Sequence, residues 1–161
     1  MDIGAKEIIL VLLGFSLSWA PLWFDRRRKI RTHWAAIRAE IILCVEKALV
    51  LSGAGIMAPL YRLPIIAFET SFPVLLVEGE VSEAECLSIG RFFSQVHDIN
   101  RGLDNATAMA HADQSEKLKK EYLRNLSKAV ELAKGADGAG GLSKSAFNIV
   151  NAKLERGWWQ R

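Results

Sequence analysis

The chain has 161 residues, half of them apolar, and a formal net charge of +3. That length leaves room for one modest core besides any membrane segment and makes a second core hard to build. From Thr32 to Arg161, 15 Lys or Arg balance 15 Asp or Glu, so the positive excess sits ahead of Thr32 and the basic stripe that a nucleic-acid-binding domain needs is missing.

In chain order the first signature is Ile8 to Phe24, a run without a charged residue. As a helix it rises roughly 26 Å, close to the hydrocarbon thickness of a bilayer. Trp19, Trp23 and Phe24 supply interfacial aromatics, and Arg26, Arg27, Arg28, Lys29 and Arg31 follow as a membrane-surface run suited to anionic headgroups. The expectation is one N-terminal transmembrane helix at 8–24 with a basic juxtamembrane run at 25–31. Five cations against one acid behind the span, with Asp2, Lys6 and Glu7 nearly cancelling in front of it, put residues 1–7 outside and the C-terminus in the cytoplasm. A secretory signal peptide and a buried soluble helix compete for the same window. Ser18-Trp19-Ala20 imitates a cleavage site, but Pro21 directly behind it and the stop-transfer-like basic run oppose cleavage.

Residues 32–134 are expected to form an all-α cytosolic bundle with coiled-coil-like seams. Trp34, Ile37, Ile41, Cys44, Ala48 and Leu51 recur at alternating spacings of three and four, the seam of a helix that continues from the first. Gly53 and Gly55 end it. Ile56 to Val77 is apolar nearly throughout and broken by Pro59, Pro64 and Pro73. It reads as an irregular segment covering the end of the core, with Pro64 opening a short helix through Phe68 and Pro73 stopping it. A second span, a membrane-dipping loop and a binding surface are the other readings of this segment. Tyr61, Arg62, Leu63 and Phe68 are its candidate partner-binding residues, because an apolar loop stiffened by prolines and bearing Tyr and Arg has the composition of a binding hot spot.

Ser82 with Glu85 forms a capping box. Behind it Ile89, Phe92, Val96, Ile99, Leu103 and Ala106 repeat the three-four spacing. Glu78, Glu80, Glu83 and Glu85 crowd the start of that helix, where carboxylates suit its positive end. Asp113 then caps a helix over 114–134 with Leu118, Tyr122, Leu126, Ala129 and Ala133 inward. Residues 135–141 hold four glycines and form a linker. In 142–161, Ser143 caps a short helix with Phe147, Val150 and Leu154 on one face, and the chain closes on a Trp158-Trp159 tail.

Chemistry is sparse. His33, His97 and His111 have no metal-site companions at helical spacing, and Cys44 and Cys86 are isolated thiols inside helical patterns. Phosphate loops and nucleophile elbows are missing, so no catalytic residue, metal or cofactor is expected. The pattern fits a non-catalytic scaffold or regulatory subunit tethered at the cytoplasmic face of the cell membrane, with the lipid bilayer and either a protein partner or a second copy as its contacts. The alternative is a pore-forming or holin-like protein in which 56–77 inserts.

Overall fold

The computed structural model describes residues 3–53, 61–111, 115–134 and 141–156. They form five helices, and no strand occurs among them: α1 (Ile3–Gly53), α2 (Ile66–Val77), α3 (Glu83–His111), α4 (Ser115–Lys134) and α5 (Leu142–Glu155). Two compact units divide the chain, Met1–Thr32 and His33–Arg161. The all-α expectation holds, and so does the continuity of the first helix with its seam, since α1 passes through Pro21 without a break. The transmembrane part of the expectation gains no support here. Among the described residues no helix is long and apolar enough to cross a membrane.

The core of the second unit is built from the two seams. Trp34, Ile37, Ile41, Cys44, Ala48 and Leu51 of α1 are all buried, as are Ile89, Phe92, Val96, Ile99 and Leu103 of α3; Ala106 is half-buried. Phe93 joins them outside the expected seam. It meets Phe92 edge to face and stacks on Phe68 at 4.3 Å, which carries the core across to α2.

The expectation for α2 needs correction at both ends. The helix starts at Ile66 and runs through Pro73 to Val77. Proline removes one helical hydrogen bond and costs about 3 kcal/mol in a helix interior. Here the carbonyl deprived of a donor belongs to Glu69, an exposed residue, while Phe72 and Leu75 on either side of Pro73 are buried, each worth about 1.5–3 kcal/mol. Burial wins. At the C-terminus Gly79 adopts φ +68°, with its N–H donating to the Leu76 carbonyl and that of Glu80 to the Leu75 carbonyl. This is a Schellman stop, whose left-handed residue glycine adopts at least cost.

The capping box that opens α3 forms as expected: the Ser82 N–H donates to Glu85 Oε2 at 2.8 Å and the Glu85 N–H to Ser82 Oγ. In α4 the inward face is rotated from the expected one. Ala129 and Ala133 are buried together with Asn125 and Leu132, whereas Leu118, Tyr122 and Leu126 are only half-buried. Asp113 and Gln114 lie outside the described residues. Ser143 does not cap α5. Gly141 occupies the cap position, and Ser143, one residue into the helix, is buried with its hydroxyl unpartnered. Val150 is buried as expected, with Phe147 and Leu154 half-buried beside it. Residues 135–140 and the tail from 157 lie outside the described residues.

Lys153 ties three helices of this unit together. Its Nζ pairs with Glu85 Oε2 at 2.8 Å, donates to the Glu80 carbonyl at 2.6 Å and lies 5.7 Å from the centre of the Trp34 ring. Burial alone would raise the Glu85 carboxyl; the hydrogen bonds from Lys153 and Ser82 outweigh it and hold the carboxyl below its ordinary value of 4.5. Because the folded-state value is the lower one, the carboxylate's stabilisation is complete above the ordinary value and is lost as pH falls through the folded one. The thermal midpoint of the wild type is therefore expected to exceed that of Glu85→Gln near neutrality and to converge on it from about pH 4.5 downward. A gap that stays constant into acid would show that the ion pair does not form.

Candidate functional site

Two regions carry the expected contacts, one in each unit. In the first unit the apolar helix is exposed at every position from Leu10 to Trp19, with Ala20 and Trp23 half-buried. Leu10, Val11, Leu12 and Leu13 are 68, 72, 60 and 53% exposed, and because successive residues lie about 100° apart, these four sample the whole circumference. Phe15, Leu17, Trp19 and Leu22 are exposed as well. The polar side chains within the stretch are satisfied by their own helix: Ser16 Oγ donates to the Leu12 carbonyl and Ser18 Oγ to that of Gly14, both at 2.8 Å.

The expected membrane-surface cations follow at once. Arg27 lies over the Trp23 ring at 4.6 Å, and Lys29 pairs with Asp25 at 2.8 Å. Asp25 holds the Lys29 ammonium above its ordinary value, first through the hydrogen bond and then through its charge. Arg26, Arg28, Lys29 and Arg31 are exposed, and Arg27 is half-buried against its tryptophan.

In the second unit the segment 61–68 is clamped on both sides. Tyr61 Oη donates to the Lys47 carbonyl at 2.7 Å, and Lys47 Nζ donates in turn to the Arg62 carbonyl at 3.3 Å. Arg62 donates to the Tyr61 carbonyl and pairs with Asp104. The Asn100 carboxamide grips the backbone of Leu63, accepting from its N–H at 2.8 Å and donating to its carbonyl at 2.9 Å. Leu63 itself is buried, and Phe68 stacks between Phe72 and Phe93. Of the four candidate partner-binding residues, Leu63 belongs to the core, Phe68 is half-buried with its ring stacked on the core phenylalanines, and Tyr61 and Arg62 are half-buried and tied to α1 and α3. Residues 54–60 lie outside the described residues, Pro59 among them.

Sequence reasoning missed the group that fixes this segment, Glu40. Only 5% exposed, it accepts the Ala67 N–H at Oε1 (2.8 Å) and the Phe68 N–H at Oε2 (2.7 Å), so a carboxylate on α1 caps the first turn of α2. The signal for it was there: Glu40 lies between Ile37 and Cys44 on the inward side of α1, where a lone acid needs donors. Neighbouring bonds continue the alignment. Cys44 Sγ donates to the Pro64 carbonyl at 3.1 Å, and His33 Nδ1 lies 3.0 Å from Ser71 Oγ. Burial foremost, with Glu40 adding to it and Lys47 opposing, pushes the Cys44 thiol up to about 12, so it stays protonated and inert at neutral pH.

Among the described residues no group of His, Cys, Asp or Glu could hold a metal ion. A groove of about 430 Å³ between α3 and α5 is lined by Leu87, Ser88, Arg91, Leu142 and Ser145 among others, and its two serine hydroxyls face each other at 2.7 Å. Comparison with family models, curated proteins and solved structures finds no match to this chain.

Proposed function

We propose that the protein is a non-catalytic scaffold or regulatory subunit held at the cytoplasmic face of a cell membrane, with Ile8 to Phe24 as its single span. The observation that carries this reading is the all-round exposure of Leu10, Val11, Leu12 and Leu13. A helix of a water-soluble domain withdraws one stripe and wets the other, whereas a helix solvated by lipid is apolar on every side. Ser16 and Ser18 fit this setting, because a hydroxyl in hydrocarbon must find its partner within the protein. The cations behind Trp23 place the headgroups, and the N-terminus lies outside.

Partner contacts belong to the outer side of α1 in the second unit, where Ile42, Leu43, Leu49 and Val50 are exposed opposite the buried seam. A protein partner or a second copy binds there. The pore reading ranks below this one, because inserting 56–77 would strip the Ala67 and Phe68 N–H groups from Glu40 and leave a buried carboxylate without its donors. Flotation of the full chain with phosphatidylcholine–phosphatidylglycerol vesicles tests the tether. The wild type is expected to float and to resist alkaline carbonate, and Leu12→Arg with Leu13→Arg to lose most of that association. Recovery of the wild type in the unbound fraction would overturn the tether, and rapid release of a trapped dye would overturn the scaffold.

A further inference from the structure

Opposite its buried seam, the part of α1 inside the second unit presents a second apolar stripe. Ile42, Leu43, Leu49 and Val50 are 37, 46, 49 and 49% exposed, and Ala35 and Ala39 are exposed as well. Because successive residues lie about 100° apart, these six fall within an arc of about 120° on the far side of the helix from the Trp34 to Leu51 seam. Glu46, also exposed, stands at the middle of that arc, and Arg38 borders it with its guanidinium 5.6 Å from the centre of the Phe147 ring. Whatever covers the stripe buries the Glu46 carboxylate. A buried charge without a partner is strongly destabilising, so the cover must bring a cation. Arg38 of the same chain lies about 12 Å away along the helix axis, too far to pair.

From this pattern we propose that the occupant is a second copy of the chain, whose α1 packs antiparallel on the stripe about a two-fold axis level with Ile42. Arg38 and Glu46 lie four residues on either side of Ile42, so that axis sets Arg38 of each copy beside Glu46 of the other and closes both ion pairs at once. Ala35 and Leu49 lie seven residues on either side, and the same axis sets the small side chain of one copy against the large one of the other. Such self-complementarity is what a two-fold contact requires. A parallel pair would instead press the two Glu46 carboxylates together in the middle of an apolar seam, like charges with no cation between them. The inference rests on the reading that partner contacts belong to this side of α1; it involves the second unit alone and does not draw on the tether.

The test uses the full chain in dodecyl maltoside. Sedimentation is expected to show a dimer whose dissociation constant rises about tenfold or more in Arg38→Glu and in Glu46→Arg, because each leaves like charges together in the contact. Arg38→Glu combined with Glu46→Arg exchanges the charges and is expected to return within about threefold of the wild type, which a misfolded variant would not do. In a Cys86→Ser background, with Cys44 left as a buried, protonated thiol, mixing Ala35→Cys with Leu49→Cys copies is expected to yield the mixed disulfide. A Leu49→Cys bond between identical copies in its place means a parallel pair and overturns the inference, as do losses that simply add in the charge-exchanged variant. A monomer at every concentration also overturns it, and Leu43→Cys then tests the reading beneath. Labelling by a water-soluble maleimide that is fast in the purified monomer and slow in native cell extract leaves another protein as the cover, and the partner reading stands. Equal labelling in both removes that reading as well.

Discussion

Replacing Glu40 with leucine is expected to cost about 3 kcal/mol or more and to strip hydrogen-exchange protection from the start of α2 before the rest of the bundle. Hydrogen bonds to a charged acceptor contribute about 1.5–3 kcal/mol each, and Glu40 makes two, at 2.8 and 2.7 Å, from a nearly water-free position. Leucine removes both acceptors and leaves two amide donors facing aliphatic carbon. Glutamine keeps one acceptor and turns an N–H toward the other donor, so Glu40→Gln is expected near half that loss. Denaturant midpoints of the detergent-solubilised chain give the order wild type, glutamine, leucine. A loss within about 0.5 kcal/mol for both variants, the range of ordinary surface positions, would mean that Glu40 does not cap α2.

The second large effect lies between α3 and α4, where the Asn125 carboxamide sits directly on Gly102. A Cβ added at Gly102 would run into that carboxamide, so Gly102→Ala is expected to destabilise by about 1–3 kcal/mol, although alanine is the better helix former by about 1 kcal/mol. The obstructing group is itself poorly placed. Asn125 is buried, and neither its Oδ1 nor its Nδ2 has a partner, a condition that costs about 1–3 kcal/mol. Asn125→Ala is therefore expected to stabilise by about 1 kcal/mol, an uncommon result for a buried position. The double variant should recover most of what Gly102→Ala loses. Additivity of the two single effects within about 0.5 kcal/mol would show that the residues do not meet.

What the sequence discloses and what it conceals divide along one physical line. The seams of α1 and α3 were legible because each residue's burial follows from its own periodicity; Trp34 to Leu51 and Ile89 to Leu103 needed no knowledge of the partner helix. The Ser82–Glu85 box was legible for the same reason, since both its members are local. The inward position of Glu40 was legible, but its partners were not, because the donors lie 27 and 28 residues downstream. Pro73 reads as a stop by local rules, and the burial of Phe72 and Leu75, a tertiary effect, overrides them. Ser143 resembled a cap only until Gly141 took that position and the serine turned inward. At the candidate site, composition picked out Tyr61 to Phe68 as special, but its grip by Asn100 and Lys47 depends on contacts that no local pattern records.

Lys153 also sets an order of assembly. The α1–α2 contacts close loops of 14 to 38 residues and the α3–α4 contacts between Lys128 and α3 close loops of 30 and 33, whereas Lys153 to the Glu80 carbonyl closes one of 73. During synthesis α1 to α4 can pair as they emerge, but the ammonium that joins the start of α3 to Trp34 comes from α5, which is made after all four. The bundle remains open along that side until α5 has been made. A truncated product would expose Trp34 and the start of α3 together, a surface that quality-control proteases could read as the mark of an unfinished chain.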